Sequence, residues 1–247
     1  MAGRRQRADQ VLTDQGLAES RSQAQALILA GRVFLGDRRI EKPGQPVADD
    51  ASLSLRGKVH PYVSRGGLKL AHGIDQFGLD PTNAVAIDIG ASTGGFTDVL
   101  LGKGARRVYA VDVGHGQLAW SLRQDDRVRV LERLNARHLT PEHIAEDVTW
   151  LVCDASFISL KLVLPPALAL VSSGASLVAL IKPQFEVGRD AIGKGGVVRD
   201  PDLQDAVCKD ISSWLGDAMG WTVRGLTESP IQGPKGNREF LIYATKP

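Results

Sequence analysis

The segment from Ala84 to Asp98 reads A-V-A-I-D-I-G-A-S-T-G-G-F-T-D, and it decides the fold class. An apolar run as long as a buried strand ends here in a glycine-rich turn, and a helix-forming sequence follows. Asp88 lies at the carboxyl end of this strand, where open α/β sheets bind their ligands. The glycines let the backbone adopt positive φ and approach a bound molecule closely. The segment therefore predicts a cofactor site at this turn.

The spacing of the glycines distinguishes between cofactor classes. A dinucleotide site has G-x-G-x-x-G, with the pyrophosphate against the following helix, whereas this turn reads D-x-G-x-x-x-G-G. An acidic residue before the first glycine suits a cationic or zwitterionic ligand better than a pyrophosphate. Asp112 ends the next predicted strand, where a carboxylate can bind both hydroxyls of an unphosphorylated ribose. We therefore favour S-adenosylmethionine, with NAD and a non-catalytic open α/β sheet as alternatives.

Composition and charge narrow the class of protein. The 247 residues are 43% hydrophobic and 23% charged, which suits a soluble protein of one large domain, or of a medium-sized domain with a small additional one. The apolar stretch from Leu160 to Val171 contains Lys161 and two prolines, and it is shorter than the roughly 20 residues of a membrane span. Cys153 and Cys208 predict buried thiols, and neither cysteines nor histidines show a metal-binding spacing. We expect a cytoplasmic protein with no membrane segment, signal peptide or metal.

Residues 1–60 are predicted to form a separate α+β domain with a basic face. They carry ten basic and seven acidic residues, the sign that binding to a polyanion requires. A capping box, with Ser20 as the N-cap and Gln23 at the N3 position, begins the second of two predicted helices. The predicted elements are helices over 8–17 and 21–30, a hairpin of 33–35 with 38–40, and a further strand over 53–55.

This region also resembles a known RNA-binding domain. From Arg7 to Val33 the chain reads R-x-D-x-x-L-x-x-x-G-L-x-x-S-R-x-x-A-x-x-L-I-x-x-G-x-V, which resembles the S-four RNA-binding domain. The resemblance implies that basic residues on its paired helices contact structured RNA, and a small basic cap without a ligand is the alternative. The predicted RNA contacts are Arg4, Arg5, Arg7, Arg21, Arg32, Arg38 and, beyond this domain, Arg65.

From residue 83 onward, predicted strands alternate with predicted helices at the spacing of a doubly wound sheet. The strands cover 84–89, 107–113, 128–132, 149–153, 176–182, 221–227 and 239–245, and the helices 66–77, 96–103, 116–123, 141–146, 159–171 and 201–219. Residues 61–82 are predicted as a linker with the first helix of the catalytic domain, and 83–247 as that domain. Trp120, Trp214 and Trp221 lie within these patterns, and we expect them in the core.

Four charged residues lie where an α/β enzyme places its reactive groups: Lys69, Asp154, Lys182 and Glu239. Each alone is more often a solvated charge, but this order of residue types is that of the FtsJ-like ribose methyltransferases. The surrounding segments V-S-R-G-G-x-K-L, D-I-G-A-S-T-G-G-F-T-D, D-A-S-F-I-S-L and I-K-P-Q-F-E resemble the TlyA family, whose members have also been called hemolysins. The resemblance implies a Rossmann-like, seven-stranded methyltransferase sheet with an amino-terminal RNA-binding domain.

The family resemblance also implies an activity. It is methyl transfer from S-adenosylmethionine to the 2′-hydroxyl of a cytidine in ribosomal RNA, with the large subunit as the expected substrate and the small subunit as a further one. A ribose hydroxyl must lose its proton as it attacks, so we expect Lys182 to be the general base and keep Lys69 as an alternative. The expected cofactor contacts are Asp88, Gly90, Ala91, Ser92, Thr93, Gly94, Gly95, Phe96, Asp112, Val113, Leu134, Asn135 and Asp154. A ribosome-assembly factor without catalysis and a membrane-acting hemolysin are the other hypotheses.

Overall fold

A computed structural model describes residues 5–18, 20–56, 60–188, 191–193 and 195–247 of the chain. The chain divides into two compact units, Met1–Pro61 and Tyr62–Pro247. The smaller unit combines short helices with short strands, and the larger is built on one seven-stranded sheet. The fold is therefore of the α/β class that the sequence predicts.

The smaller unit has its own hydrophobic core. Its elements are β1 (Arg5–Arg7), α1 (Ala8–Asp14), α2 (Arg21–Leu29), β2 (Val33–Leu35), β3 (Arg38–Arg39), β4 (Pro46–Ala48) and β5 (Leu53–Leu55). Strand β2 pairs with β3 and β5, and β1 pairs with β4. Leu12 of α1 and Ile28 of α2 are buried in one cluster with Val33 and Ile40. A core of its own is what an independent domain requires.

Most of the predicted elements of this unit are confirmed. The Ser20 hydroxyl accepts a hydrogen bond from the backbone N–H of Gln23 at 3.2 Å, as the capping box predicts. Gly31, with φ of 70°, follows the second helix, and both the hairpin and the further strand are present. Helix α1 ends at Asp14, earlier than predicted. The pairing of β1 with β4 was not predicted, because three-residue strands show too little alternation to be recognised.

The larger unit is centred on a sheet whose strands lie in the order β11-β12-β10-β9-β6-β7-β8. They are β6 (Val85–Ile89), β7 (Arg107–Asp112), β8 (Val128–Glu132), β9 (Val148–Cys153), β10 (Val171–Ile181), β11 (Thr222–Glu228) and β12 (Phe240–Thr245). Strand β12 runs antiparallel to both of its neighbours, β10 and β11, and the other pairs in this sheet are parallel. All seven predicted strands are present, and the carboxyl ends of β6, β7, β9 and β10 meet at one edge of the sheet.

Helices cover both faces of this sheet. They are α3 (Gly66–Phe77), α4 (Gly95–Gly102), α5 (Trp120–Arg123), α6 (Leu160–Val163), α7 (Pro165–Leu170), α8 (Pro183–Glu186) and α9 (Pro201–Ser213). Along β6, Ala86 faces the core cluster that contains Leu70 of α3, whereas Ile87 faces the cluster that contains Leu164 and Ile211. A strand buried on both faces reads as a continuous apolar run, which is why the sequence showed it clearly.

Several predicted helices are shorter or interrupted. The prediction over 116–123 is wrong before Trp120, because Gly116 has φ of 71° and donates its N–H to Glu132 of the edge strand. Only a 3₁₀ turn, Pro141–His143, is found within 141–146. The region 159–171 is divided into α6 and α7 by proline, and α9 ends in a π turn, Trp214–Ala218.

The tryptophans do not all lie in the core. Trp221 is 4% exposed and belongs to a core cluster, and Trp214 packs against the same cluster while partly buried. Trp120 is 71% exposed, so its expected place in the core is wrong. It is the first residue of α5, whose short length leaves that side chain outside the packed face.

Candidate active site

The glycine-rich turn joins β6 to α4. Gly90 has φ of 78° and Gly94 has φ of 97°, both in the left-handed region that favours glycine. A Cβ at Gly90 would lie 2.9 Å from the Cα of Ala155, so the turn packs directly against the segment that follows β9. Close packing at this point brings the ends of β6 and β9 together.

Asp88 is buried beneath this turn. Its Oδ2 accepts hydrogen bonds from the backbone N–H of Thr97 at 3.0 Å and from the Thr97 hydroxyl at 2.7 Å. Burial raises the pKa of Asp88 to about 7, against the opposing effect of these hydrogen bonds. The carboxyl group therefore ties the first turn of α4 to β6.

A cavity of about 460 Å³ opens beside the turn, at the carboxyl ends of β6, β7 and β9. Seven of the residues predicted to contact a cofactor line it: Gly90, Ser92, Asp112, Val113, Leu134, Asn135 and Asp154. The other six lie outside its lining: Asp88, Ala91, Thr93, Gly94, Gly95 and Phe96. Strand alternation explains why Asp88 is excluded. Successive side chains of β6 point to opposite faces of the sheet, and it is the next residue, Ile89, that lines the cavity.

Asp112 is held at the wall of the cavity by backbone groups. Its Oδ2 accepts from the N–H of Ser92 at 2.8 Å, and its Oδ1 accepts from the N–H of Gly114 at 2.7 Å. Each carboxylate oxygen has two lone pairs, so both oxygens keep an acceptor position for a ligand. The glycine-rich turn and the end of β7 are thus connected through one carboxylate that borders the cavity.

The four charged residues singled out in the sequence come together in three dimensions. Lys69 lies on α3, Asp154 follows β9, Lys182 follows β10, and Glu239 precedes β12. The Nζ of Lys69 is 2.6 Å from Glu239 Oε2 and 3.9 Å from Asp154 Oδ2. The Nζ of Lys182 is 2.6 Å from Asp154 Oδ1. Asp154 therefore lies between the two ammonium groups and links all four residues.

This tetrad is neutral as a whole and almost closed to solvent. Lys69, Lys182 and Glu239 are buried, whereas the Asp154 side chain is 20% exposed and lines the cavity. Buried charges are tolerated only when they are paired and hydrogen-bonded, and each ammonium here has a carboxylate at 2.6 Å. The tetrad can thus present a lysine amine and a carboxylate to a group bound in the cavity.

Sequence reasoning missed residues of the segment after Asp154. The Nζ of Lys182 donates to the Ser156 hydroxyl at 2.9 Å and to the carbonyl of Asp154 at 3.1 Å. Phe157 is 90% exposed, has φ of 66°, and its ring lies 5.1 Å from that of Phe185. The signal that could have indicated them is their position, since loops at the carboxyl ends of strands carry ligand contacts in this fold class.

The predicted RNA-contacting arginines differ in their surroundings. Arg7 and Arg21 both contact buried Asp9, at 2.8 and 3.2 Å, and the hydrogen bonds from Arg7 hold the pKa of that carboxyl well below its usual range. Arg5 and Arg38 are exposed, whereas Arg32 is half-buried. Arg65, in the larger unit, is exposed and donates to the Gln232 carbonyl at 3.4 Å. Arg4 lies outside the described residues.

Among the residues that the structure describes, no group of three or more histidine, cysteine or acidic side chains could hold a metal ion. Cys153 and Cys208 are free and buried, and burial raises the pKa of Cys153 to about 12. In the same part of the chain, no helix combines the length and apolar character needed to cross a membrane.

Comparison with known proteins gives two matching families. The FtsJ-like methyltransferase family matches residues 62–246, and the S4 domain matches residues 6–51. The chain is 46% identical to a Mycobacterium tuberculosis protein named 16S/23S rRNA (cytidine-2'-O)-methyltransferase TlyA, over 97% of this chain and 90% of that one. It is 34% identical to a Campylobacter jejuni protein named 23S rRNA (cytidine-2'-O)-methyltransferase TlyA, over 81% and 76%. A solved structure from Streptococcus thermophilus, described as a hemolysin, has a TM-score of 0.78 and 46% identity, covering 99% of this chain and 90% of that one.

Proposed function

Because the chain belongs to the FtsJ-like methyltransferase family and also contains an S4 domain, we propose that it methylates the 2′-hydroxyl of a cytidine in ribosomal RNA. The methyl donor is S-adenosylmethionine. The single observation that carries the proposal is the meeting of Lys69, Asp154, Lys182 and Glu239 at the edge of the cavity beside the glycine-rich turn. Four elements distant in sequence contribute these side chains, so their meeting is a property of the tertiary fold.

The cavity has the chemistry that S-adenosylmethionine requires. Asp112 offers carboxylate oxygens to the ribose hydroxyls, and Val113 and Leu134 offer apolar surface to the adenine. Ser92 and Asn135 add polar groups to the same wall. In this proposal Asp88 acts indirectly, by fixing the turn through Thr97. When bound, the donor supplies a methyl group already activated by a sulfonium centre, so the protein has mainly to position and deprotonate the acceptor.

Lys182 is the general base in this proposal. Its Nζ contacts Asp154 at 2.6 Å and Ser156 at 2.9 Å, and both of these residues line the cavity. A neutral amine there takes the proton from the 2′-oxygen as that oxygen attacks the methyl group. Lys69 and Glu239 form the second ion pair and hold Asp154 and the ribose in position. The alternative, with Lys69 as the base, has less support because the Nζ of Lys69 is paired with Glu239 at 2.6 Å and lies 3.9 Å from Asp154, the one member of the tetrad that lines the cavity.

The amino-terminal unit provides the RNA contact. Exposed Arg5 and Arg38 are available to phosphates, and Asp9 fixes the guanidinium groups of Arg7 and Arg21 in defined positions. The substrate is the large ribosomal subunit, with the small subunit as a further one. The relative named for both RNAs is more similar to this chain than the relative named for 23S alone, so both subunits need to be assayed. A protein with this substrate works where ribosomes are, in the cytoplasm.

The experiment is methylation of purified, unmodified ribosomal subunits with labelled S-adenosylmethionine. We expect label in a cytidine of each RNA that is a substrate, at a linkage that resists alkaline hydrolysis because the 2′-oxygen is blocked. Mapping both RNAs identifies the nucleotide and the subunit. Label on a base, or none on either RNA, would contradict the proposed function. RNA binding without label would instead favour a ribosome-assembly factor.

A further inference from the structure

On the basis of the proposed function, we infer that Ser156 is a positioning residue that fixes the amine of Lys182 for proton transfer. Lys182 is buried, and its Nζ donates hydrogen bonds to the Asp154 carbonyl at 3.1 Å and to Ser156 Oγ at 2.9 Å. The third close oxygen is Asp154 Oδ1, the ion-pair partner at 2.6 Å. The Ser156 hydroxyl is the one neutral side chain among them.

Ser156 is chemically different from the other two acceptors. A carboxylate or carbonyl oxygen only accepts hydrogen bonds, whereas a hydroxyl both accepts and donates. The hydroxyl can therefore accept from the ammonium form of Lys182 and donate to the amine form. A general base passes through both forms in each turnover, so Ser156 can keep Nζ in place while its charge changes.

The loop that carries Ser156 is fixed at both ends. At its start, Asp154 donates its N–H to the Ile89 carbonyl at 3.0 Å. At its end, the Ser159 hydroxyl and the Leu160 N–H donate to Glu186, at 2.5 and 2.9 Å. Ala155, between these ends, packs against Gly90. Ser156 is exposed on a tethered backbone, so its hydroxyl can hold the lysine at a defined point.

The test compares Ser156→Ala with Ser156→Thr, which keeps the hydroxyl. Single-turnover methylation is measured across neutral and alkaline pH with saturating donor and subunits. We expect the plateau rate of Ser156→Ala to fall about tenfold, because the amine is less well positioned. We also expect the rise of its rate with pH to begin up to about one pH unit lower, because the hydroxyl binds the ammonium, through a charge-assisted hydrogen bond, more strongly than it binds the amine. Ser156→Thr is expected to restore both features.

Ser212→Ala is the matched control. It removes the same hydroxyl group from α9, where the partner is the Cys208 carbonyl at 2.8 Å rather than Lys182. We expect its pH profile to coincide with that of the wild type. A Ser156→Ala profile that coincides with wild type, or an equal fall in rate in Ser156→Thr, would overturn the inference.

A second measurement keeps this inference separate from the proposed function. The side-chain nitrogen of Lys182 is titrated by NMR in the wild type and in Ser156→Ala, with the signal assigned through Lys182→Arg. We expect the signal in Ser156→Ala to titrate at lower pH than in the wild type, whether or not RNA is methylated. Identical titrations would reject the role of Ser156 even in an active enzyme. Shifted titrations with no methylation would reject the function alone.

Discussion

At the scale of single residues, Lys182 and Asp88 show two ways of burying a charged group. Lys182 is buried with a carboxylate at 2.6 Å and two further acceptors. Asp88 is buried with two hydrogen bonds from Thr97 and without a cation, so burial favours its neutral form and raises its pKa to about 7. The first arrangement keeps a reactive group in place, and the second fixes a turn.

Replacing Lys182 with alanine is expected to remove catalysis while keeping the fold. Removal of a general base lowers a rate by about 100-fold or more. Binding of subunits, measured by filter retention, is expected to remain close to wild type, because the arginines of the other unit are unchanged. Lys161→Ala is the control, since Lys161 pairs with Asp210 on the surface. Wild-type turnover in Lys182→Ala would remove this residue from the mechanism.

The buried Asp88 predicts a pH-dependent stability. Its pKa is raised from 3.8 to about 7 in the folded chain, so between these values the folded state keeps a proton that the unfolded state has released. The contribution of this group to stability is therefore greatest below pH 3.8 and decreases as pH rises toward about 7. Relative to Asp88→Asn, the wild type is expected to become less stable by about 1.4 kcal/mol per pH unit in this window, measured by urea unfolding. The prediction would be contradicted if the free energies of unfolding of the wild type and of Asp88→Asn changed equally with pH.

At the scale of elements, the turn between β6 and α4 determines where the site forms. Its glycines were recognisable because positive φ and close approach both exclude most side chains. What the turn packs against could not be read from local sequence. Ala155 lies at the end of a strand far along the chain, and contact with Gly90 is set by the parallel pairing of β6 with β9.

Gly90→Ala tests this contact. The new methyl group would meet the backbone of Ala155 at 2.9 Å, so we expect stability to fall by about 1–3 kcal/mol from overpacking, together with weaker donor binding by calorimetry. Gly174→Ala is a matched control, because Gly174 has the same φ of 78° and no atom within 4 Å of the added Cβ. The loss of stability in Gly174→Ala then reports backbone strain alone. Equal costs for both variants would contradict the packing argument.

The strands were predicted more accurately than the helices of the larger unit. Strands such as β6 are buried on both faces, so their apolar runs are continuous and unambiguous. The predicted helix over 116–123 failed because tertiary hydrogen bonds, such as that from Gly116 to Glu132, hold its first half as a loop. The short length of α5 also accounts for the exposure of Trp120, because a helix of one turn packs few of its side chains against the sheet.

At the scale of the whole molecule, the proposed function assigns RNA binding to the smaller of the two compact units and methyl transfer to the larger. We expect the chain of residues 62–247 to bind S-adenosylmethionine but to bind ribosomal RNA more weakly than the full chain. The removed unit carries arginines, so the RNA affinity of the shorter chain is expected to depend less steeply on salt. The slope of log affinity against log salt concentration falls by roughly one for each phosphate that those arginines neutralise in the full chain. Filter binding over a range of salt concentrations measures this slope. An unchanged slope would place the RNA contact elsewhere.

The sequence predicted two domains and the order of the strands along the chain, and the resemblance to a known family singled out the four charged residues. These predictions depend on apolar runs, capping residues, glycine turns and motifs of contiguous letters. The tertiary structure decided which carboxylate lies between Lys69 and Lys182, which predicted residues face the cavity, and that Ser156 contacts Lys182. These distances depend on the register of parallel strands and on loops packed across the sheet, which join residues far apart in the chain and leave no local pattern in it.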